Sequence, residues 1–189
     1  MSRFVSEFGK QDLEFSPSVL SLAQMVHHEG SPRVEISVLI DKEFKRKITT
    51  IWLKKVARQV LLAENVKPNV ELGLVITGQD KIRELNRSYL EEDAPTDVLS
   101  FPMIESDLDK IGFVTPPDRV LRLGDIIISY PQAKQQAKEH GHTIRKEIAV
   151  LIIHGVLHLL GYDHDTPAHK RLMNKREAEI IKIIEEKQL

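Results

Sequence analysis

The chain has 189 residues, 41% hydrophobic and 29% charged, a length and composition that are ordinary for one globular domain with a single core. Its 27 lysines and arginines are balanced by 28 aspartates and glutamates, and this net charge of -1 excludes a globally basic nucleic-acid-binding protein, so any RNA binding must rest on local patches. The absence of cysteine excludes disulfides and thiolate metal ligands, and no apolar run reaches the length of a transmembrane helix, so we expect a cytoplasmic protein without membrane contact.

The first part of the chain differs in character from the rest. We interpret residues 1–32 as an N-terminal extension, and residues 33–189 as a single domain. Acidic residues precede the first apolar patch of this extension, which is the wrong charge for a signal peptide. The adjacent His27 and His28 would face different ways on a helix, so we expect both on the surface.

Hydrophobic periodicity predicts four strands and five helices in the domain. The predicted elements are, in chain order, a strand at 34–40, a helix opened by Thr49 or Thr50, a strand at 70–77, a helix capped by Asp80, a strand at 98–101, a strand at 121–129, and helices opened by Pro131, Thr143 and Thr166. Helical crossovers favour parallel pairing, whereas the direct connection between the third and fourth strands permits an antiparallel edge. We therefore predict an α+β domain with a small four-stranded mixed sheet and an apolar, histidine-bearing helix packed near its centre.

Three segments carry local predictions. Seven lysines and arginines lie between residues 42 and 58, and we interpret them as a solvated helix face, with a phosphate-tracking patch as the alternative. The polar stretch at 104–119 is predicted to be an exposed loop. Gly124 and Asp125 interrupt an apolar strand and predict a bulge or a close approach of two backbones.

The most informative stretch runs from His154 to His164 and reads His-Gly-Val-Leu-His-Leu-Leu-Gly-Tyr-Asp-His. Positions i and i+4 share a helix face, so His154 and His158 can bind one metal ion. Gly161 marks the end of the helix because glycine accepts the left-handed conformation, and the chain can then bring His164 back. Three imidazoles with an open fourth position are typical of catalytic zinc, although other divalent transition metals suit the same ligands.

The chemistry expected from such a site is metal-assisted hydrolysis. Zinc held by three neutral ligands keeps its double charge, lowers the pKa of a bound water to about 7, and stabilises charge that develops on a phosphodiester. This metal-bound water is the expected nucleophile. The same histidine spacing occurs in metzincin proteases, but they carry glutamate as the general base directly after the first histidine. Gly155 occupies that position here, so a conventional metalloprotease is disfavoured.

Several polar residues are candidates for the surroundings of the metal. The candidates for proton transfer are Asp163, Asp125 and the substrate itself. For Asp163 we favour a different role, as a partner that orients one of the histidines. Thr96, Asp97 and Ser100 either line the cleft or make turn and strand-cap hydrogen bonds.

Three motifs in this order identify a resemblance. The histidine stretch, preceded by Pro-Thr-Asp-Val-Leu-Ser-Phe-Pro and Leu-Gly-Asp-Ile-Ile-Ile-Ser, is similar to the YbeY endoribonucleases, or ribosomal RNA maturation factors, over residues 34–189. The resemblance implies a zinc-dependent, single-strand-directed endoribonuclease in ribosomal RNA processing and ribosome quality control. It implies zinc on His154, His158 and His164. The implied partners are ribosomal RNA, the small ribosomal subunit, and ribosomal or assembly proteins.

One position departs from that family. Its members usually have an arginine after the tyrosine that precedes the Pro-Thr-Asp motif, and this arginine is thought to serve the active cleft. Here Tyr89 is followed by Leu90, which cannot contact phosphate. Arg87 lies three residues earlier on roughly the same helix face, and we predict that it substitutes. The alternative function is a ribosome-associated assembly factor with a structural or weakly catalytic metal, which Leu90 and the missing general base both favour.

Overall fold

The computed structural model of the protein describes residues 3–4, 33–67, 69–103, 120–187 and 189. The predicted surface residues His27 and His28, and the predicted loop at 104–119, lie outside the described residues. The elements are β1 Arg3–Phe4, β2 Val34–Ile40, α1 Thr50–Ala63, β3 Val70–Thr77, α2 Gln79–Leu90, β4 Val98–Pro102, β5 Leu121–Ser129, α3 Tyr130–Glu139, α4 Ile144–Leu159 and α5 Pro167–Glu186. Among the described residues, none of the helices is both long enough and apolar enough to cross a membrane.

The strands form one mixed sheet in the order β1-β4-β5-β3-β2. Strand β3 lies parallel to β2, because α1 returns the chain to the same end of the sheet, and it also lies parallel to β5. Strand β4 runs antiparallel to β5, as its direct connection permits. The predicted α+β fold with four mixed strands and a central helix is therefore confirmed. The two residues of β1 add a fifth strand from the N-terminal extension, parallel to β4.

Helix starts are set largely by short polar side chains. Thr49, Thr143 and Thr166 each accept a hydrogen bond from a backbone N–H in the first turn of the helix that follows. The predicted cap at Asp80 is wrong, because α2 begins one residue earlier with Gly78 as its N-cap. Asp80 instead lies in the first turn, where its charge complements the helix dipole.

The irregularity predicted at Gly124 is present as a bulge. Glu71 of β3 pairs with Arg122, and the next residue of β3 pairs with Gly124, so Leu123 is the extra residue. Gly124 has a φ of +127°, and a Cβ atom there would lie 2.0 Å from the carbonyl oxygen of Phe101. Both the bulge and the close backbone approach therefore require glycine at this position.

Helix α4 lies in the middle of the main core. Of its 16 residues, 11 are buried, because it packs against β4 and β5 on one side and against α1, α3 and α5 on the others. Gly155 lies directly against the sheet, since a Cβ atom there would lie 2.8 Å from a side-chain carbon of Ile126. The apolar run of this helix is thus explained by burial on all sides.

The opposite face of the sheet is covered by α2. Side chains alternate along β5, so Ile126 faces the main core with α4, while Ile127 faces the α2 side. Asp125 has the same parity as Ile127 and therefore also lies on the α2 side. The smaller cluster on this side contains Val75, Ile82, Leu85, Leu99 and Ile127.

Candidate metal centre

The three predicted metal ligands, His154, His158 and His164, come together at the C-terminal end of α4, and we call them the histidine cluster. Ring centroids are 4.5 Å apart for His154 and His158, and 5.1 Å apart for His158 and His164. His154 and His164 are separated by 6.3 Å. The cluster extends from the core to the surface, because His158 is 1% exposed whereas the side chain of His164 is 43% exposed.

The ring nitrogens of the first two histidines face one another. Nε2 of His154 lies 3.0 Å from Nε2 of His158. Nδ1 of His154 lies 2.7 Å from Oε1 of Glu177, and an ionised carboxylate only accepts, so this nitrogen carries the hydrogen. A neutral His154 therefore directs its lone pair at His158. Two nitrogens at this separation require either one shared proton or a cation close to both.

The electrostatic environment keeps His158 neutral. Burial, together with the neighbouring imidazoles of His154 and His164, lowers the pKa of His158 to about 4. At pH 7 its ring is therefore uncharged and can offer a lone pair to a metal ion. This donor set of imidazoles, oriented by a carboxylate, fits zinc and also fits other divalent transition metals.

Glu177 contacts the histidine cluster from outside the three sequence motifs. It lies on α5, 23 residues from its partner His154. The available signal was its helical position, because Met173, Ile180 and Ile184 are the buried residues of this helix and Glu177 has the same spacing. A carboxylate on the core-facing stripe of an amphipathic helix requires a buried polar partner.

The turn that carries His164 is anchored to two other helices. Gly161 has a φ of +89° and ends the helix, as its residue type predicted. The hydroxyl of Tyr162 donates to Oε2 of Glu64 at 2.9 Å, and Arg176 binds the other oxygen of the same carboxylate. Burial and the contact with Glu64 raise the pKa of Tyr162. These contacts hold the turn, and with it His164, against α1 and α5.

Asp163 is brought into the same neighbourhood. Its carboxylate lies within 4.8 Å of ligand atoms of His158 and His164, and its Oδ1 accepts the backbone N–H of His164 at 2.6 Å. Burial acts to raise the pKa of Asp163, but the hydrogen bonds with the His164 backbone and with Asp165, together with the nearby imidazoles, outweigh it and hold the pKa below its usual value. The ionised side chain can orient His164 or contact the metal directly.

The structure does not bring Asp125 to the histidine cluster. Its carboxylate packs over Gly73 of β3, where an added Cβ atom would lie 1.8 Å from Oδ1. This contact lies on the α2 side of the sheet, away from the residues that face α4. Burial raises the pKa of Asp125, so glycine makes room for a carboxyl group that is costly to ionise.

The sequence left two roles open for the Pro-Thr-Asp motif, lining of the cleft or hydrogen bonding at the start of a strand, and its side chains make the second kind of contact. Oδ1 of Asp97 accepts the N–H of the following residue at 2.8 Å and the hydroxyl of Thr96 at 3.2 Å. Its Oδ2 accepts Nε2 of Gln136 on α3 at 2.9 Å. Burial opposes ionisation, but the hydrogen bonds outweigh it and lower the pKa of Asp97. Ser100 is 1% exposed and lies on the α4 side of β4.

The position that departs from the family is filled by an apolar contact. Leu90 is half-buried at the end of α2 and, like Tyr89 and Phe101, packs against the smaller cluster on the α2 side of the sheet. Arg87 is exposed, and within the described ranges no hydrogen bond or ion pair joins it to the histidine cluster. All seven basic residues between 42 and 58 are exposed, as both a solvated face and a phosphate-binding patch require.

Comparisons with known proteins agree with the three motifs. A family model described as Endoribonuclease YbeY matches residues 35–185. A curated relative of that name from Dehalococcoides mccartyi is 46% identical over 157 residues, which cover 81% of this chain and 98% of the relative. Another from Geobacillus thermodenitrificans is 44% identical over 132 residues, covering 68% of this chain and 82% of the relative. A solution structure of a Thermotoga maritima protein has a TM-score of 0.54 at 24% identity, covers 81% of this chain and 91% of that one, and supports the fold alone.

Proposed function

This chain belongs to the YbeY endoribonuclease family, and from that premise we propose that it is a zinc-dependent endoribonuclease directed at single-stranded RNA. The proposed substrate is ribosomal RNA, processed during maturation and quality control of the small ribosomal subunit in the cytoplasm, with ribosomal or assembly proteins as partners. The observation that carries the hydrolytic part of the proposal is the convergence of three imidazoles at the end of α4.

We assign the metal to His154, His158 and His164. When bound, Zn²⁺ supplies a positive charge that attracts a phosphodiester and acidifies water. The contacts of the protein prepare the ligands for this ion. Glu177 holds the hydrogen of His154 on Nδ1 and so leaves Nε2 free to bind, while burial keeps His158 uncharged. Anchoring of Tyr162 fixes the turn that presents His164.

On the solvent-exposed side of the metal centre, Asp163 is the residue that orients His164. Its hydrogen bond to the backbone of His164 fixes the direction of the carboxylate, and its lowered pKa keeps it ionised at neutral pH. We propose that it positions His164 and accepts a proton from the attacking water. Arg87 remains the proposed phosphate contact because Leu90 has no group that binds an anion. It is exposed on α2, on the face of the sheet opposite α4, and would contact RNA that extends beyond the histidine cluster.

The protease alternative fails on packing as well as on residue type. Gly155 occupies the place of the protease glutamate, and Ile126, which is fully buried, leaves no room there for a Cβ atom. A glutamate at this position would have to displace the centre of the sheet before it could reach water.

Cleavage of a single-stranded ribosomal RNA fragment tests the proposal, with the same sequence in a duplex beside it. The variant is His158→Ala, and the matched control is His169→Ala, which removes an exposed histidine of α5 outside the cluster. We expect zinc in the wild type and the control, cleavage of the single strand by both, and a loss of roughly 100-fold or more in His158→Ala. Cleavage that persists in His158→Ala would contradict the assignment of the site.

One observation favours a second candidate function. Leu90 stands where the family usually has arginine, and it packs against apolar residues, so it offers no charge to RNA. This fits a ribosome-associated assembly factor with a structural or weakly catalytic metal. Bound zinc without RNA cleavage, in protein that still binds the small ribosomal subunit, would select this candidate. Restoring the arginine with Leu90→Arg should then increase cleavage.

A further inference from the structure

A second group of metal-ligand types lies where α3 meets α4, and we call it the junction site. It consists of His140, His142 and Glu147, each of which offers one ligand atom within 4.8 Å of the other two. Nδ1 of His140 lies 3.1 Å from Oε2 of Glu147, and Nε2 of His142 lies 3.0 Å from the same oxygen. The two imidazole rings are 5.4 Å apart.

The local sequence explains why these side chains meet. Helix α3 ends at Glu139 with His140 as its C-cap residue, and Gly141 has a φ of +68°, so the chain reverses sharply between the two histidines. Thr143 then caps α4 by accepting the N–H of Lys146. Glu147 follows on the first turn of α4, and both histidines fold over it.

The carboxylate at the centre of this group is withdrawn from water. The side chain of Glu147 is 4% exposed, whereas those of His140 and His142 are 58% and 22% exposed. In the described part of the chain, the hydrogen bonds and ion pairs of this carboxylate are those to the two imidazoles. A buried carboxylate is costly unless positive charge lies next to it. The site is therefore closed on the carboxylate side and open on the histidine side.

The hydrogen bonding of His142 indicates that a positive species belongs between it and the carboxylate. Nδ1 of His142 lies 3.2 Å from the carbonyl oxygen of Thr143, which can only accept, so this nitrogen carries a hydrogen. A neutral His142 then directs the lone pair of Nε2 at an oxygen of Glu147, 3.0 Å away. Two acceptors this close repel each other unless a proton or a metal cation lies between them.

We propose that His140, His142 and Glu147 bind a divalent transition-metal ion such as Zn²⁺, separately from the histidine cluster. Two imidazoles and one carboxylate are ligands that zinc accepts. The observed separations of 3.0 and 3.1 Å are close to the value of about 3.3 Å expected between ligands of a tetrahedral zinc ion. Seven residues, about 10 Å of helix, separate Glu147 from His154, so one ion cannot serve both groups. The ion at the junction site links α3 to α4.

Metal stoichiometry tests this proposal independently of RNA cleavage. The full-length, untagged chain is stripped with a chelator, titrated with ZnCl₂ by calorimetry, and analysed for zinc after gel filtration. We expect two equivalents in the wild type, one in His142→Ala, one in His158→Ala, and none in the double variant. His169→Ala is the matched control and should keep two equivalents.

Each outcome has a definite meaning. The proposal is overturned if the wild type binds one equivalent that disappears in His158→Ala, because a proton then occupies the junction site. It is also overturned if His142→Ala keeps two equivalents. His140→Ala removes an exposed ligand and should weaken zinc binding at the junction site about 100-fold. Because His140 is exposed, this variant should fold even if substitution of the buried Glu147 unfolds the protein. A zinc equivalent that survives in His158→Ala supports the junction site even if the proposed nuclease activity fails.

Discussion

The two ends of α4 carry the same kinds of ligand in different arrangements. At the C-terminal end, the carboxylate of Glu177 contacts the outer nitrogen of His154 and leaves the inner nitrogen free. At the N-terminal end, the carboxylate of Glu147 is itself the point on which His140 and His142 converge. A carboxylate on the nitrogen that faces away from the ion orients the histidine, whereas a carboxylate on the nitrogen that faces the ion becomes a ligand itself.

This difference has a consequence for charge. Three neutral imidazoles leave a divalent ion with its full double charge, which polarises water and phosphate strongly. A carboxylate ligand would neutralise half of that charge at the junction site. The proposed division of roles follows, with catalysis at the histidine cluster and linkage of two helices at the junction site.

The largest effect is expected from placing the protease glutamate at the C-terminal end. Gly155→Glu would drive a Cβ atom into Ile126 and bury a carboxylate, and should cost more than about 4 kcal/mol of unfolding free energy or abolish folding. Urea denaturation measures this cost. Gly155→Ala isolates the steric part, and a stability equal to that of the wild type would contradict the packing at this position.

Acid should weaken the metal-free protein through His158. Its pKa is about 4 when folded and 6.5 in the unfolded chain, so the unfolded state binds the proton more readily. Stability is complete above pH 6.5 and is lost as the pH falls toward 4, by roughly 3 kcal/mol. Urea midpoints of chelator-treated protein across this range measure the loss. The same slope in His158→Ala would show that another group is responsible.

The orienting carboxylate should matter at one end of α4 only. Glu177→Gln keeps the shape of the side chain but replaces the ionised carboxylate by a neutral amide, which is a weaker acceptor for the Nδ1 hydrogen of His154, and should lower the zinc affinity of the histidine cluster by about 10- to 100-fold. Titration in a His142→Ala background isolates this site. Glu186→Gln, an exposed position on the same helix, is the matched control. Equal affinities for the two variants would remove Glu177 from the site.

The smallest effect is expected where the turn is anchored. Tyr162→Phe deletes the hydrogen bond to Glu64 and should cost about 1 kcal/mol of unfolding free energy, with the junction site unaffected. Arg176 still pairs with Glu64, which limits the loss. Urea denaturation gives the stability, and zinc titration in the His158→Ala background monitors the junction site. An unchanged midpoint would mean that this contact does not hold the turn.

Local patterns could be predicted because they depend on neighbours in the chain. The spacing of His154 and His158, the helix end at Gly161, and the bulge at Gly124 each follow from the geometry of one element. The apolar run before His154 likewise predicted burial of α4 on all sides. The predictions from the sequence therefore agree best with the structure in α4, where the histidine motif lies on a single helix.

Contacts between distant elements could not be predicted in the same way. Glu177 reaches His154 from α5, and Asp125 lies on the α2 side only because of how β5 pairs and alternates. The junction site was missed because its ligands look like surface histidines until the turn at Gly141 folds them over Glu147. The pairing of β1 with β4 also joins segments that no local pattern relates.

A zinc-edge anomalous diffraction experiment on zinc-loaded crystals locates the ion independently of activity. We expect an ion about 2.0–2.1 Å from one ring nitrogen each of His154, His158 and His164. An ion that contacts only two of these rings, or no anomalous peak at the C-terminal end of α4 in protein that folds normally, would contradict the assignment of the three ligands.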